Sequence, residues 1–124
     1  SEETFDRASL LETIFQQQTR FLAILALDGT VLEVNDFCLQ FTKVSRQWVI
    51  GKKFWNTPWC NPLVTTQKLV QREIYNAIRN ETVIRGESEY AIADGTVRYG
   101  SYAITPLRAN QRITHLLIEG EDIT

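Results

Sequence analysis

The sequence predicts an α+β domain: a five-stranded antiparallel sheet with helical connectors packed on one face. Three observations lead there. Helical periodicity is confined to the N-terminal stretch and the middle of the chain. Two Asp-Gly pairs, Asp28-Gly29 and Asp94-Gly95, each join runs of strand-forming residues, and glycine takes the positive φ of a tight hairpin at little cost. From Thr82 onward the pattern is β throughout.

Residues 4–19 read as an amphipathic helix, with Phe5, Ala8, Leu11, Ile14 and Phe15 at helical spacing, polar residues between them, and Thr4 placed to cap its start. Its apolar stripe needs a surface to cover or a second copy of itself. Phe21 to Leu27 is a continuous apolar run and reads as a buried strand, and Val31 to Val34 is its hairpin partner. Asn35 ends that strand and caps a short helix through Thr42; a second helical turn runs from Ser45 to Gly51. Residues 52–64 hold Pro58, Pro62, Phe54, Trp55 and Trp59, so this stretch is an ordered loop that packs through its aromatics. Thr65 or Thr66 caps a longer helix to about Asn80, whose apolar face is Leu69 or Val70, Ile74, Ala77 and Ile78. Strands follow over 82–93 and over 96–107, the latter ending near Pro106. A turn over 108–111 and a final strand over 112–124 complete the chain.

With 124 residues, 44% hydrophobic and 23% charged, the chain fits one domain that sustains its own core. A net charge of -2 offers no basic face for nucleic acid or an anionic membrane. No apolar run approaches membrane-helix length, and the polar N-terminus "SEETFDRASL" has no secretory pattern, so a cytoplasmic setting is expected. Cys38 and Cys60 form no CxxC pair and read as reduced thiols. No catalytic constellation is present. Strict alternation turns the single histidine, His115, away from the face that Leu116, Ile118 and Gly120 share. The acids have no His or Cys partners at metal-ligand spacing, and neither a dinucleotide fingerprint nor a P-loop occurs. The domain alone is therefore not expected to be an enzyme.

"LDGTVLEVN", "IGKKFW", "ADGTVRYGSYAITPL" and the terminal "GEDIT", in that order and at that spacing, resemble the PAS domain with its C-terminal PAC motif, over residues 20–124. Residues 1–19 then form a preceding helix that caps the domain or dimerises it. "FWNTPWC" together with "IEGEDIT" is similar to a bacterial subset with FW-x-x-PW and EG-x-DIT motifs. Its members sit upstream of histidine kinases or GGDEF-type cyclases. The chain departs from the pattern at Lys43, where glycine is common, and at Cys60, where a second tryptophan is common.

The resemblance implies a cavity between the inner sheet face and the helices, with Phe41, Trp55, Val70, Ile74, Tyr102, Ile104, Leu116 and Ile118 as candidate lining residues and Tyr102 supplying a hydroxyl. Asn35 and Gly51 hold structural corners. Asp122, Ile123 and Thr124 would relay a change to a following helix and output domain, a kinase or cyclase. Neither haem nor photoactive flavin is expected, since the long helix lacks histidine and Cys38 lies on the wrong helix for a flavin adduct. Cys60 stands near the position of a thioester-linked chromophore, but Val34 replaces the tyrosine that would bind it, so no covalent cofactor is expected. A small non-covalent ligand and a filled core both remain open. A homodimer is expected through the N-terminal helix and the outer sheet face, where Ser101, Ala103, Thr105 and Leu117 lie. The alternatives are a ligand-free dimerisation or protein-interaction module, and a small cone-shaped enzyme. The turn and strand-end positions of Asp28, Asp94 and Asp122 oppose the enzyme.

Overall fold

The computed structural model describes residues 5–124. The elements run α1 (Arg7–Gln17), β1 (Phe21–Leu25), β2 (Val31–Val34), α2 (Asp36–Thr42), two short 3-10 turns, α3 (Val64–Asn80), β3 (Ile84–Ala91), β4 (Val97–Ala109) and β5 (Arg112–Asp122). The five strands form one sheet in the order β2-β1-β5-β4-β3, and every neighbouring pair is antiparallel. The first and last strands in sequence thus meet at the centre, and β5 is hydrogen-bonded on both sides. The fold is the α+β sheet-and-connector arrangement that the sequence predicts.

Side-chain alternation assigns the faces. Phe21, Ala23 and Leu25 of β1 lie opposite Gly120, Ile118 and Leu116 of β5, and these pair onward with Tyr102, Ile104 and Pro106 of β4. This inner face carries α2, α3 and the connecting turns. Leu25, Val31, Val34, Val49, Ile74, Ala77 and Leu116 are wholly buried there. His115 is exposed on the opposite face.

Several local expectations change. The first helix begins at Arg7 and is capped by Asp6, whose carboxylate accepts from the Ser9 amide at 3.2 Å; Thr4 lies outside the described residues. Neither Thr65 nor Thr66 caps α3. Leu63 is its N-cap without a side-chain bond, and the Thr66 hydroxyl donates across to the Glu89 carbonyl at 2.9 Å. β1 stops at Leu25 because the Ala26 carbonyl already closes the hairpin with the Gly29 amide. β4 continues through Pro106 to Ala109. Pairing with β3 ends at Ile84–Ile104, so Pro106 lies where β4 has an unpaired side, a place that tolerates a missing N–H. The turn to β5 is accordingly tight, with Asn110 and Gln111 at φ 52° and 66°, the left-handed pair of a two-residue hairpin.

The two structural corners are built as their residue types suggest. Asn35, fully buried, accepts from the Leu22 and Cys38 amides at 3.1 and 3.2 Å and donates to the Arg20 carbonyl at 2.8 Å, fastening α2 to β1. Gly51 turns at φ 84°, and its amide bonds the Val31 carbonyl at 2.8 Å. At Lys43, where the family pattern has glycine, the chain takes φ 59° regardless. α1 lies beside the start of α2, where the Gln16 side chain accepts from the Asp36 amide at 2.7 Å; it does not cover the outer face of its own sheet. Leu10, Leu11 and Ile14 of α1 remain exposed. No helix among the described residues is long and apolar enough to cross a membrane.

Candidate functional site: an apolar cavity joined to the end of the last strand

Inner-face glycines shape the space above the sheet. Gly86, Gly100 and Gly120 each carry an aromatic ring from a neighbouring strand laid against the backbone. A Cβ would come within 2.5 Å of the Tyr102 hydroxyl at Gly86 and 3.3 Å of the Tyr90 ring at Gly100, while at Gly120 it would meet the Ser101 carbonyl at 3.2 Å with the Phe21 ring in ordinary contact at 3.5 Å. The rings lie down on glycine instead of standing into the core. Above them is a cavity of about 100 Å³. Its floor includes Phe21, Ala23, Tyr90, Tyr102, Ile104 and Ile118; its roof is Cys38 and Thr42 of α2, Thr66 and Val70 of α3, and Phe54, Trp59 and Cys60 of the connector.

Of the sequence-predicted residues, Val70, Tyr102, Ile104 and Ile118 line this cavity, and Phe41, Trp55, Ile74 and Leu116 do not. Helix geometry accounts for Phe41. Cys38 and Thr42, four residues apart, form the cavity stripe of α2, while Phe37 and Phe41 form the adjacent stripe and stack beside Phe21 at 5.6 and 5.2 Å. Trp55 closes the first hairpin instead. A Cβ on Gly29 would sit 2.4 Å from its ring, and its other neighbour is Tyr75 at 6.0 Å. Ile74 lies one turn beyond Val70 on α3, and Leu116 lies opposite Leu25 and Pro106, toward the end of the sheet that is packed solid. The residues that sequence reasoning missed include Phe21, Ala23 and Tyr90 of the floor and Cys38, Thr42, Phe54, Trp59, Cys60 and Thr66 of the roof. The available signal was a glycine within each of the last three strands, Gly86, Gly100 and Gly120, with Tyr90 and Tyr102 on β3 and β4.

Several of the cavity's wall hydroxyls are committed. The Thr42 hydroxyl donates to the Cys38 carbonyl at 2.7 Å, and the Thr66 hydroxyl is bound to Glu89. Burial pushes both thiols up to about 12, because a thiolate there would lose its hydration. Both cysteines are free. At pH 8, iodoacetamide should therefore leave Cys38 and Cys60 unmodified in the folded protein and alkylate both in urea, as intact mass would show. Among the described residues no group of three His, Cys, Asp or Glu side chains could hold a metal.

Tyr90 connects the cavity to the chain's C-terminal end. Its ring touches Phe21 at 5.8 Å, and its hydroxyl donates to Asp122 Oδ2 at 2.5 Å. Arg98 binds the same carboxylate in a forked manner, Nε to Oδ2 at 2.7 Å and Nη2 to Oδ1 at 3.1 Å, and its guanidinium lies over the Phe41 ring at 5.5 Å. The Thr124 amide and hydroxyl both donate to Asp122 at 3.0 Å. The Tyr99 amide donates to the Thr124 hydroxyl at 2.8 Å, and the Ile123 amide donates to the Tyr99 carbonyl at 2.8 Å. Arg98 foremost, and then Tyr90 and Thr124, hold the Asp122 carboxyl far below the usual carboxylate range; burial and the facing carboxylate raise the Tyr90 hydroxyl. Asp122, Ile123 and Thr124 thus form one hydrogen-bonded knot with β4, and Phe41 belongs to that knot rather than to the cavity.

A five-stranded sheet that closes an apolar cavity under helical connectors and knots its last strand at one rim defines a cavity-bearing α+β module. A family model described as "PAS fold" matches residues 15–124. The chain belongs to the PAS fold family. It is 29% identical over 122 residues to the sensor histidine kinase TmoS of Ectopseudomonas mendocina, across 95% of this chain and 12% of that protein, so it spans only a small part of that relative's length. Among solved structures, the PAS domain of a protein from Colwellia psychrerythraea superposes with a TM-score of 0.81 at 18% identity, over 96% of this chain and 98% of that one. The PAS domain of an HTR-like protein from Haloarcula marismortui gives a TM-score of 0.76 at 20% identity, over 94% and 91%.

Proposed function

We propose that this chain is the regulatory input domain of a bacterial signalling protein, a histidine kinase or a cyclic-dinucleotide cyclase. On this reading it passes the state of its cavity to an output domain through Asp122, Ile123 and Thr124. The observation that carries the reading is the Tyr90 hydrogen bond, because one residue is at once cavity wall and anchor of the strand end. A molecule that enters the cavity displaces the Tyr90 ring or holds it, and either effect changes the geometry offered to Asp122. The bias is limited to the molecule's difference in affinity for the two arrangements, typically about 1–3 kcal/mol. The domain itself performs no catalysis and works in the cytoplasm. The similarity to part of a sensor histidine kinase supports the kinase output over the cyclase.

The exposed Leu10, Leu11 and Ile14 of α1 support association of two copies through this helix and the outer sheet face. A ligand-free dimerisation module would use the same contacts. Native mass spectrometry of the purified chain, with an absorption spectrum, separates the readings. The sensor reading expects a dimer that carries, or takes up on addition, a small non-covalent mass. A dimer that never acquires one, across a panel of small neutral molecules, favours the ligand-free module.

A further inference from the structure

One edge of the sheet is covered only in part by its own chain. β3 is the last strand in the order and pairs with β4 alone. Along such a strand, residues alternate in turning their backbone N–H and C=O toward the partner and away from it. The Ala91 amide donates to the Trp59 carbonyl at 2.9 Å, and the Glu89 carbonyl accepts from the Thr66 hydroxyl at 2.9 Å. The odd-numbered residues of β3 therefore face away from β4. The even-numbered ones, opposite Ile104, Tyr102, Gly100 and Arg98, face it. The connector and α3 thus close the edge at Glu89 and Ala91. Nearer the start of the strand, the N–H and C=O of Arg85 and Glu87 have no hydrogen-bond partner among the described residues, and both residues are exposed. We propose that two copies of this chain pair antiparallel through this open stretch, with Arg85 of each copy opposite Glu87 of the other. The contact is separate from association through α1 and does not depend on the sensor reading.

Charge selects both the occupant and the register. A symmetric pairing that joins outward-facing groups must set odd residues opposite odd ones. On this stretch one such register sets Arg85 against Arg85 and another sets Glu87 against Glu87, and like charges directly opposite are destabilising. The register between them centres on Gly86. It sets Arg85 against Glu87 on both sides of the axis, each pair exchanging both backbone hydrogen bonds. Among the described residues neither side chain has an ion-pair partner within its own chain. Gly86 then lies opposite Gly86 as a non-hydrogen-bonded pair, the place where antiparallel strands approach most closely. It brings no side chain to that approach, and the Tyr102 ring already lies across it, since a Cβ there would meet the Tyr102 hydroxyl at 2.5 Å. A second copy carries the matching charges by symmetry, which an unrelated extended peptide does only by coincidence. The contact is small, below the roughly 1,200 Å² of stable interfaces, so it is weak, with a dissociation constant on the order of 0.1–1 mM.

Amide exchange of the ¹⁵N-labelled chain, followed by NMR at about 0.05 mM and about 1 mM, tests the pairing. The Arg85 and Glu87 amides are expected to exchange about twofold or more slower at the higher concentration. Those of Gly86 and Ser88, which face β4, keep their rates. Arg85→Glu and Glu87→Arg, both at exposed positions, each abolish the concentration dependence, and the double variant carrying both substitutions restores it. No concentration dependence at the two amides, or a dependence that survives Arg85→Glu, overturns the pairing. A double variant that fails to restore it overturns the register. Strong protection that is the same at both concentrations means that another segment of this chain covers the edge, which also overturns the proposal. Association through α1 alone changes the native mass without slowing these two amides, so the failure of either contact is distinguishable from the failure of the other.

Discussion

Gly29→Ala is expected to cost roughly 2–5 kcal/mol of stability, read as a lower urea midpoint at an unchanged slope. Two effects add. Gly29 turns the first hairpin at φ 89°, a region that costs an L-residue about 1–2 kcal/mol. The new methyl would also stand 2.4 Å from the Trp55 ring. Trp55 is buried and bears on Tyr75, so it cannot swing aside without opening the core, and overpacking of this kind costs about 1–3 kcal/mol. Gly51→Ala is the control: its φ is 84° but nothing lies within 4 Å of the added Cβ, so only the backbone part should appear. Equal losses at the two positions would mean that the Trp55 contact contributes nothing.

Asp122→Ala is expected to lower stability by about 2–3 kcal/mol, because Tyr90 and Arg98 lose a charged acceptor at a mostly covered site. The pH dependence has a definite sign. Arg98 holds the folded-state carboxyl well below its unfolded value, so the folded state binds a proton less readily than the unfolded one. The contribution is complete above about pH 4, the unfolded value, and is lost as pH falls below that toward the lowered folded value. Urea midpoints for wild type should therefore fall more steeply below about pH 4 than those of Asp122→Ala. Asp6, Asp28 and Asp94 are also lowered, so the difference between the two proteins, not the wild-type slope alone, isolates Asp122. Parallel curves would remove Asp122 from the account.

The sheet was legible because its signals are local. Asp-Gly turns, a β-branched and aromatic second half, and Asn35 before a short helix each act within a few residues. The ends of elements were less legible because they depend on partners distant in sequence. Pro106 stays in a strand only because β3 stops opposite Ile104, and Thr66 leaves the start of α3 to bond Glu89. The cavity was half legible for a similar reason. Val70, Tyr102, Ile104 and Ile118 follow from facing the core. Phe41 faces it too, but the Cys38 stripe rather than its own is turned over the empty space. Tyr90 escaped notice because its role depends on Gly100 and Asp122, which only the register of three strands brings beside it.

Amide hydrogen exchange at Ile123 and Thr124, followed with and without saturating cyclopentanone as a small neutral probe of the apolar cavity, in wild type and in Tyr90→Phe, tests the link between cavity and strand end most directly. Tyr90→Phe keeps the ring over Gly100 and removes only the hydroxyl that reaches Asp122. The account predicts that occupancy changes exchange at both amides in wild type and leaves them unchanged in Tyr90→Phe, while the cavity wall responds in both proteins. A response confined to the cavity wall in wild type, with Ile123 and Thr124 unmoved, would contradict it.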